Sequence, residues 1–511
     1  MSEIVSKSFQ KIAKGSTVVF IGTAINLLLS FFTRVIMARF STQAEYGIYS
    51  LVLTVVSICT TISALGLEEG AARSIAYLRG EKGKKNVQDI IFSSIIFALM
   101  ASTLMIILIF FTSDYLAVKV FNEPSMSFVL QIMAISIPFT VLINIIISIY
   151  RGFDKASIKT YFNNILRPSI YFLLLGIAVL LNQSFVEMIS IYVMSFLITF
   201  LLLIVYFIKH APIKLIPKEI HINHNTKKLL SFSIPLLTIS LLLTIMTWTD
   251  TLMLGYFKTA ETVAAYNAAH PVANLLSVGI NSIGFLYLPI TSNLYSNNSI
   301  KEIGILNESS TKWCFLITLP IFFMLIVFPE FILNLFYGSE YVTASNVLQV
   351  LALGFMANSF FGLNYYTLMA TGKSRLLMHC SLMSAIANII LNLILIPSFG
   401  MLGAAIASAI SFTLIEIYMT LKLYQLLGIH PFTKVYLRFT TFAISSVLIF
   451  YIFRSLFIHT FSTIVLSYTL FLVVYSITIL GTKSLDKEDV EILTKIEKKL
   501  LHVFQLSRKY Y

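Results

Sequence analysis

Charge is scarce in this chain. Only 12% of its 511 residues are Asp, Glu, Lys or Arg, against 58% hydrophobic. A water-soluble domain of that length needs far more polar surface, so a soluble globular class is excluded. Cysteine is nearly missing too. Cys59, Cys314 and Cys380 lie inside apolar runs with no CxxC or CxxxC spacing, which excludes a disulfide framework and a thiolate metal site and leaves buried thiols. The chain has no GxxxxGK[ST] loop, no HExxH and no nucleophile elbow, so nucleotide hydrolysis of the Walker kind is not expected. Gly372-Lys373-Ser374 is an isolated match on a short loop. His221 and His224 read as a solvated pair. No loop is large enough to house a soluble catalytic domain. The chain is therefore expected to be no enzyme and to carry no cofactor and no metal.

What is present is a succession of apolar runs, each near the ~20 residues that cross a bilayer. Hydropathy gives fourteen. They fall near 16–37, 47–66, 89–112, 127–150, 161–182, 186–208, 232–254, 264–292, 313–336, 344–370, 377–397, 401–422, 434–454 and 460–480. The first run follows a basic, polar start and precedes no small-residue cleavage site, so it reads as an uncleaved helix. Alternate connections collect the cations: Arg73, Arg79, Lys82, Lys84 and Lys85, then Arg151, Lys155 and Lys159, and the tail from Lys483 to Lys509. The opposite loops hold only Arg39, Lys119, Lys258 and Arg454. Such asymmetry follows the positive-inside rule and places both termini in the cytoplasm of a multi-pass cell-membrane protein. The net charge of +13 then reflects inner-face lysines meeting anionic lipid, with no nucleic acid implied. The last segment, 481–511, has apolar residues near helical spacing and reads as an amphipathic helix on the inner surface.

One stretch occurs twice. FFTRVIMARFSTQAEYGIYSL at 31–51 matches TWTDTLMLGYFKTAETVAAY at 247–266. Thr33-Arg34 meets Thr249-Asp250, Met37 meets Met253, Ala44-Glu45 meets Ala260-Glu261, and Tyr49 meets Tyr266 after a one-residue gap. Repeats of this length in membrane helices point to two homologous bundles with a substrate site at their interface. The expected fold is therefore all-α, with about fourteen transmembrane helices. It comprises a six-helix bundle at 1–208, a cytoplasmic linker at 209–231, a second six-helix bundle at 232–427, two additional helices at 428–480 and the tail.

These motifs carry a resemblance. The first copy, with GLEEGAARSIAYLRGEKG (66–83), WTDTLMLGYFKTAETVAAYNAA (248–269), LFYGSEYVTASNVLQVLALGF (335–355) and ANIILNLILIPSFGMLGAAIASAIS (387–411), resembles the polysaccharide flippase branch of the multidrug/oligosaccharidyl-lipid/polysaccharide exporter superfamily. The likeness spans the first twelve runs, and the last two fit the branch's fourteen-helix members. VAAY at 263–266 departs from the family's usual Val-Gly before the Tyr. The resemblance implies movement of a polyprenyl- or dolichyl-(pyro)phosphate-linked oligosaccharide from the cytoplasmic to the outer leaflet by alternating access. Its partners would be that substrate, membrane lipids, and glycosyltransferases or a polymerase of the same pathway. Two other readings compete: a cation-coupled drug or metabolite exporter of the superfamily, and a non-transporting scaffold of a polysaccharide assembly complex.

Candidate site residues are polar groups inside spans, where a charge costs about 2.5–3.5 kcal/mol on insertion scales. Arg34 and Asp250, at equivalent repeat positions, either snorkel to headgroups or form an outer gate, pairing when the cleft is closed to the outside. Arg167, beside Pro168, either snorkels inward or faces the cavity. Asn26, Asn144, Asn274, Asn281 and Asn388 either line the cavity or bond between helices. Glu68, Glu69 and Arg73 are candidates for a cytoplasmic latch, and Glu330 and Glu416 for proton or ion coupling. Trp248 and Trp313 read as interface anchors.

Overall fold

The structure is a computed structural model that describes residues 3–81, 83–155, 157–211, 224–452 and 461–481. The expected amphipathic tail, apart from Gly481, and most of the linker lie outside them. In chain order the helices are α1 Glu3–Arg39, α2 Gln43–Ser63, α3 Leu67–Glu81, α4 Gly83–Tyr115, α5 Met126–Ala134, α6 Ser136–Gly152, α7 Ser157–Lys159, α8 Arg167–Leu180, α9 Phe185–His210, α10 His224–Phe257 and α11 Ala260–Asn274. They continue as α12 Ser277–Ser296, α13 Ile300–Val327, α14 Pro329–Phe336, α15 Ser345–Phe361, α16 Asn364–Ala370, α17 Ser374–Leu427, α18 Lys434–Ile452 and α19 Phe461–Gly481. Among the described residues no strand occurs. The all-α expectation holds.

Where the structure describes them, the predicted runs fall mainly on helix. Eleven stretches of the described residues are long and apolar enough to cross a membrane, and the pair α11 and α12, bent by 45°, makes a twelfth. α17 contains two of the predicted runs in 54 residues, and its helix is interrupted at Gly400 (φ 57°, ψ −134°). A straight helix of that length would reach about 80 Å, far beyond the ~30 Å hydrocarbon layer. The break is where the chain turns.

Local sequence explains several helix starts. Thr42 and Glu45 form a capping box at α2, with the Glu45 carboxylate accepting from the Thr42 amide at 2.8 Å. Ser184 and Glu187 repeat the device at α9. Both satisfy backbone donors that a helix start leaves orphaned.

The chain packs as two compact units. The first comprises 1–271 with 333–347 and 387–408, the second 272–332, 348–386 and 409–511. This division by packing differs from the division by repeats: α10 and most of α11, which belong to the second repeat, lie in the first unit. The reason is visible at the repeated turns. A Cβ on Gly47 would stand 1.9 Å from the Ala260 carbonyl oxygen, and one on Gly66 (φ +68°) 2.1 Å from that of Ser233. Glycine permits backbones to approach this closely, and α10 packs along α2, α3 and α4.

Candidate functional site

A cavity of about 350 Å³ opens within the first unit. Arg34 enters it from α1, Tyr49 from α2, Arg167 and Tyr171 from α8, Tyr192 from α9 and Trp248 from α10. Hydroxyls from Ser30, Thr33, Ser57, Thr60, Thr140 and Ser195 add polar contacts, and Leu53, Val56, Pro168 and Phe196 form apolar wall. None of the lining residues is acidic.

Arg167 owes its place to a local irregularity. Residues Thr160–Leu166 form a π-helical stretch immediately before α8, and Pro168 stands in the first turn of that helix. Proline has no N–H and crowds the carbonyl four residues back, so the preceding turn widens instead of continuing tightly. The Arg167 guanidinium lies 4.9 Å above the Phe196 ring, and its Nε is buried without a hydrogen-bond partner. Phe196 stacks edge-on with Tyr192 at 5.0 Å, and Tyr192 with Tyr171 at 5.6 Å and Tyr49 at 6.5 Å. Aromatic packing thus fixes the wall, and cation–π contact supports the guanidinium in place of a carboxylate. Among the described residues no hydrogen bond or ion pair engages Arg34. Two cations therefore face a polar cavity with no counter-charge among its lining residues.

Asp250, the repeat counterpart of Arg34, has the opposite environment. Its half-buried carboxylate accepts hydrogen bonds from Tyr266, from Asn388 at 3.2 Å, from Asn392 at 2.6 Å and from Ser408 at 2.5 Å. All four donors are neutral. Among the described residues no ion pair joins Asp250 to Arg34, so the pairing expected of an outer gate is not made in this structure. The carboxylate, amide and hydroxyl oxygens are of the hard type that suits cations, but here the donors face the carboxylate.

The inner candidates assemble differently from the expected latch. Glu69 pairs with Arg151 at 2.8 Å. Arg73 instead lies 4.0 Å over the Phe232 ring. Glu68 accepts from Asn144 at 2.9 Å, Asn144 accepts from Asn163 at 3.0 Å, and Arg151 reaches the Glu68 carbonyl at 2.9 Å. Asn144 is thus bonded between helices. Asn26 accepts from Ser30 one turn on at 3.4 Å. Asn274 is exposed, and Asn281 accepts from Tyr366 at 3.1 Å. Glu330 is half-buried. Glu416 is buried and accepts from Asn358. Trp248 belongs to the cavity wall.

Sequence reasoning missed the cavity tyrosines, Arg151, Asn163, Asn392 and Ser408. Two carried a signal: Tyr49 by its place in the repeated stretch, and Asn392 because it stands one helical turn beyond Asn388, on the same face. Among the described residues no three His, Cys, Asp or Glu groups cluster as a metal site.

Comparison with known proteins extends the picture. Residues 12–294 match the family model described as polysaccharide biosynthesis protein, and residues 235–394 match the MatE model. A putative O-antigen transporter of Shigella flexneri is 25% identical over 415 residues, 78% of this chain and 94% of that one. A probable low-salt glycan biosynthesis flippase of Haloferax volcanii is 33% identical over 165 residues, 32% of this chain and 35% of the relative. Among solved structures, the lipid II flippase MurJ in an inward closed conformation aligns with a TM-score of 0.73 at 15% identity, over 93% of this chain and 99% of that one.

Proposed function

The chain belongs to the polysaccharide biosynthesis protein family, and on that premise we propose that it moves a lipid-linked oligosaccharide from the cytoplasmic to the outer leaflet. The observation that carries this reading is the pair of unneutralised guanidiniums, Arg34 and Arg167, in an acid-free cavity walled by tyrosines. A sugar–(pyro)phosphate head cannot cross hydrocarbon bare, because its charges and hydroxyls lose hydration at high cost. Guanidinium forks match phosphate oxygens in pairs. Tyr, Ser and Thr hydroxyls serve sugar hydroxyls, and tyrosine rings offer apolar faces to the sugar. The lipid tail remains in the bilayer throughout.

The cavity also argues against a cationic drug as cargo, since two arginines without a neighbouring carboxylate repel it. The likeness to a putative O-antigen transporter and to a probable glycan flippase supports a lipid-linked glycan. Alternating access needs no nucleotide site, and both termini lie in the cytoplasm of a cell-membrane protein under this reading. Glycosyltransferases or a polymerase of the same pathway would supply and consume the substrate.

The experiment is reconstitution of the purified protein in liposomes with a fluorescent polyprenyl-diphosphate oligosaccharide in one leaflet. Transfer without ATP, lost in an Arg34→Ala/Arg167→Ala double variant, is the expected result. Transfer that requires ATP, or that persists in the double variant, overturns it. Cysteines placed at Ser2 and Ser507 should label from the cytoplasmic side alone.

A further inference from the structure

The second unit holds a buried polar cluster that anion handling leaves unused. Glu416, in the second half of α17, is 4% exposed. One carboxyl oxygen accepts from the Asn358 amide of α15 at 2.8 Å. The other, Oε2, is buried with no partner. Asn364 opens α16 with its side chain against the same carboxyl. Its amide nitrogen donates to Thr420 at 2.8 Å and to the Phe361 carbonyl at 3.0 Å, while its Oδ1 is buried without a partner. Thr420 in turn gives its hydroxyl proton to the Glu416 carbonyl one turn back.

The donors are thus committed and two oxygens are orphaned. An ionised carboxylate offers about four acceptor sites, and leaving them dry in an apolar interior is among the costliest arrangements a protein can contain. Neutral amide donors do not offset that cost. Among the described residues no charged group bears on the carboxyl, and the titratable neighbour is the buried Cys380 thiol. Lys312 on α13, also buried, has an interaction of its own, and Oε2 has no partner from any side chain. A metal cation would need a shell of oxygens turned inward. Here the Asn358 and Asn364 amide nitrogens point into the cluster and oppose a cation. A proton on Oε2 removes the charge and converts an orphaned acceptor into a donor.

We infer that Glu416 is a proton-binding site, its carboxyl holding one proton on the unpartnered oxygen. The step is simple addition of a proton to a carboxylate and needs no other reactant. The site lies in the second unit, outside the anion cavity.

The test is infrared difference spectroscopy of the full-length protein in lipid nanodiscs at neutral pH, comparing wild type with Glu416→Gln in sodium and in potassium buffer. Glutamine has the shape and neutrality of the protonated acid, so the fold should be retained. The expected result is a carboxylic-acid carbonyl band in the wild type, equal in both buffers and absent from the variant. A spectrum without such a band overturns the proposal, as does a band that disappears in sodium. Should Glu416→Gln fail to fold, Asn358→Ala removes the donor to the carboxyl and must shift the same band, and an unshifted band also overturns the assignment. No substrate enters the measurement, so it fails or succeeds separately from the transport reading.

Discussion

Arg34 and Asp250 stand at the same place in the repeated stretch, and each is followed by a tyrosine, Tyr49 after fifteen residues and Tyr266 after sixteen. In both copies the pair ends up in one neighbourhood: Arg34 and Tyr49 line the cavity, and Tyr266 bonds to Asp250. The chemistry has been inverted. The first copy presents a cation with no partner to open space, whereas the second ties an anion to four neutral donors. One repeated stretch therefore carries two environments, a charge left open toward a cavity and a charge tied to the side chains around it. Charge alone does not mark a membrane residue as a binding group. The distinguishing property is whether the protein itself has already satisfied it.

That contrast can be broken by mutation, and the largest effect should fall on the open copy. Each charge-assisted bond to phosphate contributes about 1.5–3 kcal/mol, so Arg34→Ala or Arg167→Ala should weaken binding of a polyprenyl diphosphate by about ten- to hundredfold. The double variant should abolish it in a binding titration, and lysine at either position should restore only part, for want of the fork. Near-normal stability in these variants would confirm that neither arginine holds the fold. Exchange of the two charges, Arg34→Asp with Asp250→Arg, should fail to restore transport, because the donors around residue 250 would face a guanidinium and the cavity would lose one of its cations. Rescue would show that the two residues do pair in another state.

The satisfied copy should respond in stability. Asp250→Ala leaves four donors without their acceptor, an expected loss of about 2–4 kcal/mol after partial re-pairing, read as a lowered unfolding temperature in detergent. Asp250→Asn keeps some of the bonds and should cost less. If Asp250→Ala is thermally silent but inactive, the residue belongs with the ligand groups after all. The smallest effect should come from the Glu69–Arg151 pair, whose side chains are 61% and 36% exposed. Separating it with Glu69→Gln should change stability by less than about 1 kcal/mol.

Much of this architecture was readable in advance, for reasons that also explain what was not. Long apolar runs are local in sequence, and the repeat shows on comparing the chain with itself. Arg34, Arg167, Asp250 and Glu416 stood out because a charge in an apolar run is expensive and must be accounted for. Their partners were hidden. Asn388, Asn392 and Ser408 lie 138 to 158 residues from Asp250, and Glu69 meets Arg151 across 82. No periodicity encodes such meetings, which depend on which helices the fold brings side by side. The π-helical stretch before Arg167 was likewise invisible, although Pro168 was a hint that the helix could not run evenly there.

Gly47 has a practical consequence. The Ala260 carbonyl occupies the place a methyl group would need, so Gly47→Ala drives a wedge between two backbones instead of deleting a contact. Overpacking of this kind costs about 1–3 kcal/mol, and where a protein has a second arrangement in which these backbones part, the same energy shifts the populations by about five- to 150-fold toward it. Under the proposed alternating access, Gly47→Ala should therefore raise the share of a conformer in which these backbones part, while the residues lining the cavity keep their identity.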